Sequence, residues 1–259
     1  MDFRLDRQSA FSFACRVCGR CCAGKIIMAG PHEVLGMSRV LGIGTTEFLA
    51  LYTDNGGTTL RSEADGPCVF LTASGCRVHP RRPLVCRLYP LGRMTDETGV
   101  ERFGVFPAQP DCEAEAGHEG TVSSFLESQG VAPYLEWSRR YGELYRRMMG
   151  LLDRLDIQGK VDAGEGGGAA EAAPAGPGSA GSGQEPDRAS HRAPDREPIS
   201  SWQDIDASLA EYCAAKGSTP PREIDEAIAL HLRAIGEWLD GLELQLGEVP
   251  NNPEGAREP

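Results

Sequence analysis

No stretch of this 259-residue sequence is apolar for long enough to cross a bilayer, which takes about 18 consecutive apolar residues. The N-terminus, MDFRLDRQSAFSFAC, is punctuated by Asp2, Arg4, Asp6 and Arg7 and has no apolar run of the secretory kind. An excess of positive charge is also lacking. The net charge is −12, the opposite of what a phosphate backbone demands of its partner. These absences lead to the expectation of a cytosolic protein that engages neither membrane nor nucleic acid. No glycine-rich phosphate loop follows a strand, no H-E-x-x-H pair occurs, and no Ser/His/Asp set is recognisable, so motif alone names no reaction.

Large apolar residues are scarce in one place in particular. Residues 161–199 are rich in Gly, Ala, Pro and Ser and cannot bury enough surface to offset the entropy of ordering, which predicts a disordered linker. The charge is divided at the same point. Residues 1–160 hold 19 Lys/Arg and 19 Asp/Glu, whereas residues 161–259 hold 7 and 19, so the whole net charge lies in the second part. The expected organisation is a cysteine-cluster metal-binding domain over 1–160, the linker over 161–199, a helical segment over 200–245 and a disordered tail over 246–259.

What the sequence does have is cysteine. Eight of its nine fall between residues 15 and 112: Cys15, Cys18, Cys21, Cys22, Cys68, Cys76, Cys86 and Cys112. Cys213 stands apart and reads as a small apolar helix residue. In a reducing compartment such thiols are metal ligands or catalytic groups before they are disulfides. The C-x2-C spacings from Cys15 to Cys18 and from Cys18 to Cys21 let thiolates converge on one ion through a tight turn, a geometry shared by zinc sites and iron–sulfur clusters. Cys21 and Cys22 are adjacent and tend to project apart, so one is expected to serve the first centre and the other a second site or a redox task. Four thiolates around Zn²⁺ or a [4Fe–4S]²⁺ cluster leave a double negative charge, and Arg16, Arg20, Arg77, Arg81, Arg82 and Arg87 are interleaved where they can balance it. Tyr89 can donate its hydroxyl to a sulfur. His79 is a weaker candidate ligand, and His32 reads as a surface residue. Pro83 and Pro90 bracket Cys86, which tips the reading from zinc toward iron–sulfur.

The rest of the pattern predicts short strands at TTLR and CVFL, a hairpin of LGRMT and VERFGVF around DETG, and little regular structure in HPRRPLVCRLYP. Helices are expected from Pro31 through HEVLGMSRVLGI, with an apolar face of Val34, Leu35, Val40 and Leu41 before Gly42 and Gly44, and over TEFLALYT with Thr45 or Thr46 as cap. A longer helix carries Leu135, Tyr141, Leu144, Tyr145, Met148, Leu151, Leu152 and Leu155 on its core side. At the C-terminus, Ser201 is a candidate cap, and PREIDEAIALHLRAIGEWLDGLE, with Pro221 at its start, places Ile224, Ile228, Leu232, Ile235 and Leu239 on one face. This helical pair either docks back on the first domain or grips another protein.

The ordered set C-x2-C-x2-CC, then C-x7-C-x2-H-x3-RP-x2-CR-x-YP, then a later Cys, resembles the YkgJ-like cysteine-cluster family. The residues that carry the resemblance are the eight cysteines with Arg82, Pro83, Arg87, Tyr89 and Pro90, over roughly residues 10–115. It implies a zinc- or iron-chelating domain, often called Fe–S oxidoreductase-like. The fold class expected is α+β: an irregular cysteine-rich metal-binding core with short strands, flanked by helices. The expected function is chelation of an iron–sulfur cluster, [4Fe–4S], or of zinc through the eight cysteines, in a structural or electron-transfer role, with Arg82, Arg87 and Tyr89 contacting the bound group. The alternatives are an Fe–S-dependent oxidoreductase or protein-modifying enzyme, or a metal-stabilised adaptor that uses its C-terminal helices.

Overall fold

Where apolar residues keep helical spacing the chain forms helices; where prolines and glycines crowd the cysteines it forms two-residue strands and tight turns. The computed structural model describes residues 2–16, 18–62, 66–96, 98–107, 109, 112–162 and 202–247, with the backbone alone at 156–162. In order the elements are β1 (Ala10–Ala14), a 3₁₀ turn (Arg20–Cys22), α1 (Pro31–Leu41), α2 (Thr45–Tyr52), β2 (Thr53–Asp54), a 3₁₀ turn (Asn55–Gly57), β3 (Thr59–Leu60), β4 (Leu71–Thr72) and β5 (Gly75–Cys76). A 3₁₀ turn (His79–Arg81), α3 (Leu84–Leu88), β6 (Leu91–Thr95), β7 (Glu101–Val105), β8 (Glu115–Thr121), α4 (Val122–Ser128), α5 (Ala132–Asp162), α6 (Ile205–Ala215) and α7 (Ile224–Gly247) follow. The architecture is α+β, as expected. The linker expected over 161–199 lies outside the described residues except for its first two, which end α5, and the tail expected over 246–259 lies outside them beyond Gly247.

Each described sheet has two antiparallel strands. The β6–β7 hairpin sets Leu91 opposite Val105 and Thr95 opposite Glu101, around the turn that DETG marks. CVFL is not a strand. Cys68 makes an isolated bridge to Ser62, and pairing resumes only at Leu71. Pro67 has no N–H to give to a ladder, and the Cys68 N–H is committed elsewhere, to Cys22 O at 2.8 Å. The pairing of β1 with β8 was not foreseen. It sets Ala14 opposite Glu115 and so closes the N-terminal segment over the later part of the chain.

The helix ends follow local chemistry. Pro31 opens α1, and Glu33 returns its carboxylate to Gly30 N–H at 2.7 Å. The N-cap of α2 is Gly44, not Thr45 or Thr46. Those two hydroxyls donate instead to the Asp204 carboxylate, at 2.5 and 2.6 Å. Asp204 also caps α6 by accepting from Ala207 N–H at 3.2 Å, while Ser201 lies outside the described residues. The last helix begins at Ile224 rather than at Pro221.

Three apolar clusters hold the elements together. The first joins Leu35 of α1 and Tyr141 and Leu151 of α5 to Ile205 and Leu209 of α6 and to Ile228, Leu232, Ile235 and Leu239 of α7. The face carrying Ile228, Leu232, Ile235 and Leu239 is therefore buried inside the protein, while Trp238 and Leu244 of α7 are exposed. Ion pairing seals the junction: Arg39 Nη1 donates to Asp206 at 2.9 Å, and Thr45 N–H to the same carboxylate at 2.8 Å. Cys213 is buried in α6, as a small apolar helix residue would be. In α5 the core face is narrower than its sequence suggests, since Tyr145, Leu152 and Leu155 are exposed. The second cluster packs Val34, Met37, Phe48, Leu49, Phe70 and Val78, with Cys68, Cys76 and Cys86 against its edge. The third holds β1, the hairpin and α4 through Phe11, Phe103, Val122 and Phe125. No single described helix is long and apolar enough to cross a membrane.

Candidate metal centre

The cysteine-bearing segments are brought together by backbone contacts. Gly19, between Cys18 and the turn that carries Cys21 and Cys22, has φ 75°, and a Cβ there would stand 2.9 Å from the Leu71 side chain. Only glycine allows both that left-handed turn and that approach. The strip after it runs beside Gly66–Cys68: Ala23 bridges Pro67, and Cys68 N–H donates to Cys22 O. Cys76 closes the β4–β5 hairpin opposite Leu71. Cys86 rides on α3, whose first turn is held by Glu33: its buried carboxylate accepts from Leu84 N–H at 2.6 Å. Burial raises the pKa of Glu33 against these two N–H donors.

The result is one cavity of about 540 Å³ lined by all eight cysteines of residues 15–112. None of the eight is in a disulfide among the described residues. Their electrostatics are mutual. Burial pushes the Cys86 thiol up to about 12, with the charges of Cys68, Cys21 and Cys76 acting in the same direction. Burial also raises Cys68 and Cys76. Cys21 is drawn down to about 6, first by the hydrogen bond from its neighbour Cys22, with Lys25 and Arg82 helping against burial. Cys22 is driven up by that same bond and by burial. The adjacent thiols do not project apart: they hydrogen-bond each other and line the same cavity. Nearer the surface, Cys18 is lowered by the backbone N–H groups of Arg20 and Glu113 and hydrogen-bonds the Cys112 side chain. Cys15 is exposed at the rim.

Among the described residues no three His, Cys, Asp or Glu side chains already stand at metal-binding distances from a common point. The fit to a metal rests on donor chemistry: eight soft thiol donors on one cavity wall, which suit zinc and iron–sulfur centres. Cys21, Cys22, Cys76 and Cys86 feel one another's charge, so their thiolates repel until a cation joins them.

Of the residues expected to contact a bound group, Arg82 and Tyr89 line the cavity and Arg87 does not. Arg82 donates to His79 O at 2.9 Å and to Gln129 Oε1 at 2.7 Å. Arg87 is 8% exposed, and its guanidinium faces away into structure. It donates to Arg82 O (3.1 Å), Gln129 O (2.7 Å), Pro80 O (2.7 Å) and Tyr134 Oη (2.9 Å), and it stacks 4.2 Å from the Tyr134 ring. A planar fork of five donors suits this task. His79 sits on the cavity wall, with burial and the Arg82 and Arg87 charges lowering its pKa. His32 is not on the surface. It is 6% exposed, stacked on Tyr141 at 5.8 Å, and among the described residues has no hydrogen-bond partner on either ring nitrogen. Its helix position between Pro31 and Glu33 disguised a face turned toward α5.

Sequence reasoning passed over Lys25. Its ammonium stands 3.8 Å from the centre of the Tyr89 ring, inside the cavity, within reach of the charges of Cys21, Cys86, Cys22 and Cys112. Burial lowers its pKa while those thiols oppose the shift. Its place three residues after Cys22 was the available signal; the many arginines drew attention away from it.

A cavity lined by eight cysteines, with the Lys25 ammonium among them, has the donor set of a thiolate-chelating domain. Residues 14–109 match a family model, CxxCxxCC, with the description "Putative zinc- or iron-chelating domain". The match agrees with the cysteine-cluster resemblance read from the sequence, and the C-terminal helices fall outside it. Comparison with curated proteins finds no match, nor does comparison with solved structures.

Proposed function

We propose that the cavity chelates an iron–sulfur cluster, with zinc as the alternative occupant, through Cys15, Cys18, Cys21, Cys22, Cys68, Cys76, Cys86 and Cys112. The observation that carries this reading is the meeting of all eight thiols in one cavity of about 540 Å³. A lone tetrahedral zinc is enclosed by its own four ligands and needs no such space. Mostly apolar walls around the sulfurs favour a group shielded from water, where charge and hydrogen bonds to sulfur set a reduction potential. A bound cluster would supply one-electron chemistry or a structural staple. The chain's part is to hold the thiols, keep water away and balance their charge. The reading calls for a reducing compartment, in which thiols stay free.

The experiment is elemental analysis with EPR and Mössbauer spectroscopy on anaerobically purified full-length protein. The expected material is brown, absorbs broadly near roughly 400 nm as thiolate–iron charge transfer does, and bleaches with dithionite. Colourless protein holding stoichiometric zinc would reject the iron part and keep the chelation; protein holding neither metal after anaerobic reconstitution would reject both.

A further inference from the structure

The cations around the cavity are not equivalent. Arg16 is ion-paired with Glu115, and Arg93 with Glu101 at 2.6 Å. Arg82 is shared between a backbone carbonyl and Gln129, and Arg87 is buried in the network described above. Lys25 differs from all of them. Its ammonium lies over the Tyr89 face with no carboxylate among the described lining residues, and it lines the same cavity as the eight cysteines. A half-buried cation kept off carboxylates, supported by an aromatic face and sharing its cavity with eight cysteines, is placed to balance thiolate charge.

Building on the chelation reading, we propose that Lys25 is the internal counter-cation of the thiolate centre, positioned by the Tyr89 ring. Its charge strengthens metal retention and, for an iron centre, favours the reduced and more negative state. Tyr89 acts through Lys25: its ring face holds the ammonium, while its hydroxyl accepts from Gln109 N–H at 3.3 Å. The lysine stem also packs at the cavity edge, so Lys25→Met keeps most of the packing and removes the charge.

The test uses anaerobically loaded full-length protein with K25M, K25R, Y89L and Y89F. Metal release to a chelator should be about 10–100-fold easier in K25M, the usual effect of losing a partner of a bound centre. It should be near wild type in K25R and Y89F, and intermediate in Y89L. If the metal is iron, the K25M midpoint potential should move to more negative values. The metal-free unfolding midpoint of K25M should stay at the wild-type value, which separates a charge role from a structural one. A second readout is direct. The chain has three lysines, Lys25, Lys160 and Lys216, so acylation at each can be followed by mass spectrometry. Loading should slow acylation at Lys25 and leave Lys216 unchanged. Loaded K25M that retains its metal and potential like wild type would overturn the assignment of Lys25 alone. So would K25M that unfolds early without metal, or a Lys25 acylation rate indifferent to loading. Wild-type protein that takes up no metal would instead overturn the chelation reading beneath it.

Discussion

Replacing Arg87 with Met tests whether this residue serves a bound group or the fold. The guanidinium serves three carbonyl oxygens, of Arg82, Gln129 and Pro80, and the Tyr134 hydroxyl, in a buried setting. Each acceptor left without its donor costs about 1 kcal/mol or more. The lost stack on Tyr134 adds about 1 kcal/mol. The sum is about 4 kcal/mol, since methionine refills part of the space and some acceptors regain water. In a chain of this size that corresponds to a fall in Tm of very roughly 10 °C. The assay is urea and thermal unfolding of the metal-free full-length chain, read by far-UV circular dichroism. Arg87→Lys should recover only part of the loss, because a point charge cannot serve a fork of acceptors. A loss under about 1 kcal/mol in the metal-free chain, with metal affinity sharply reduced, would refute the structural account and return Arg87 to the bound group.

Other outcomes follow from the same coordinates. Cys86→Ser should lower metal content and loosen the fold, because metal binding and folding free energy are linked, whereas Cys213→Ser, buried in α6, should leave metal content unchanged; equal losses in metal analysis would show that the ligands are wrongly divided. Burial lowers the pKa of His32 to about 4 from 6.5, so the folded state favours the neutral ring. Between those values the unfolded chain binds the extra proton, so stability should fall as pH drops from about 6.5 toward 4, by about 3 kcal/mol in all. His32→Phe should flatten that part of the urea-midpoint profile, and an unaltered slope would count against the buried neutral ring.

Much of the fold was legible because its signals are local. DETG marked the hairpin, Pro31 and Gly42 bounded α1, and the spacing of Ile228, Leu232, Ile235 and Leu239 announced the buried face of α7. The eight cysteines declared themselves by number and spacing, and they do share a cavity. What stayed hidden depends on contacts between distant segments. Nothing near Ala14 reveals that Glu115 will lie opposite it. Thr45 and Thr46 look like caps until Asp204 arrives to take their hydroxyl protons. Arg87 next to a cysteine reads as a neighbour of metal, yet Gln129 and Tyr134, more than forty residues away, claim its donors. Lys25 acquires meaning only when the Tyr89 ring is set beside it.

The main-chain bond from Cys68 to the Cys22 carbonyl spans 46 residues and uses no sulfur. Two stretches of thiol-bearing polypeptide are thus moored alongside each other by amides, whatever the state of the side chains. An arriving ion therefore does not have to recruit its ligands from a random coil. It meets a vessel already half assembled, and loading becomes a matter of swinging side chains inward. Stripping the centre would then slacken these two strips without parting them, a milder fate than that of small zinc modules that collapse when stripped.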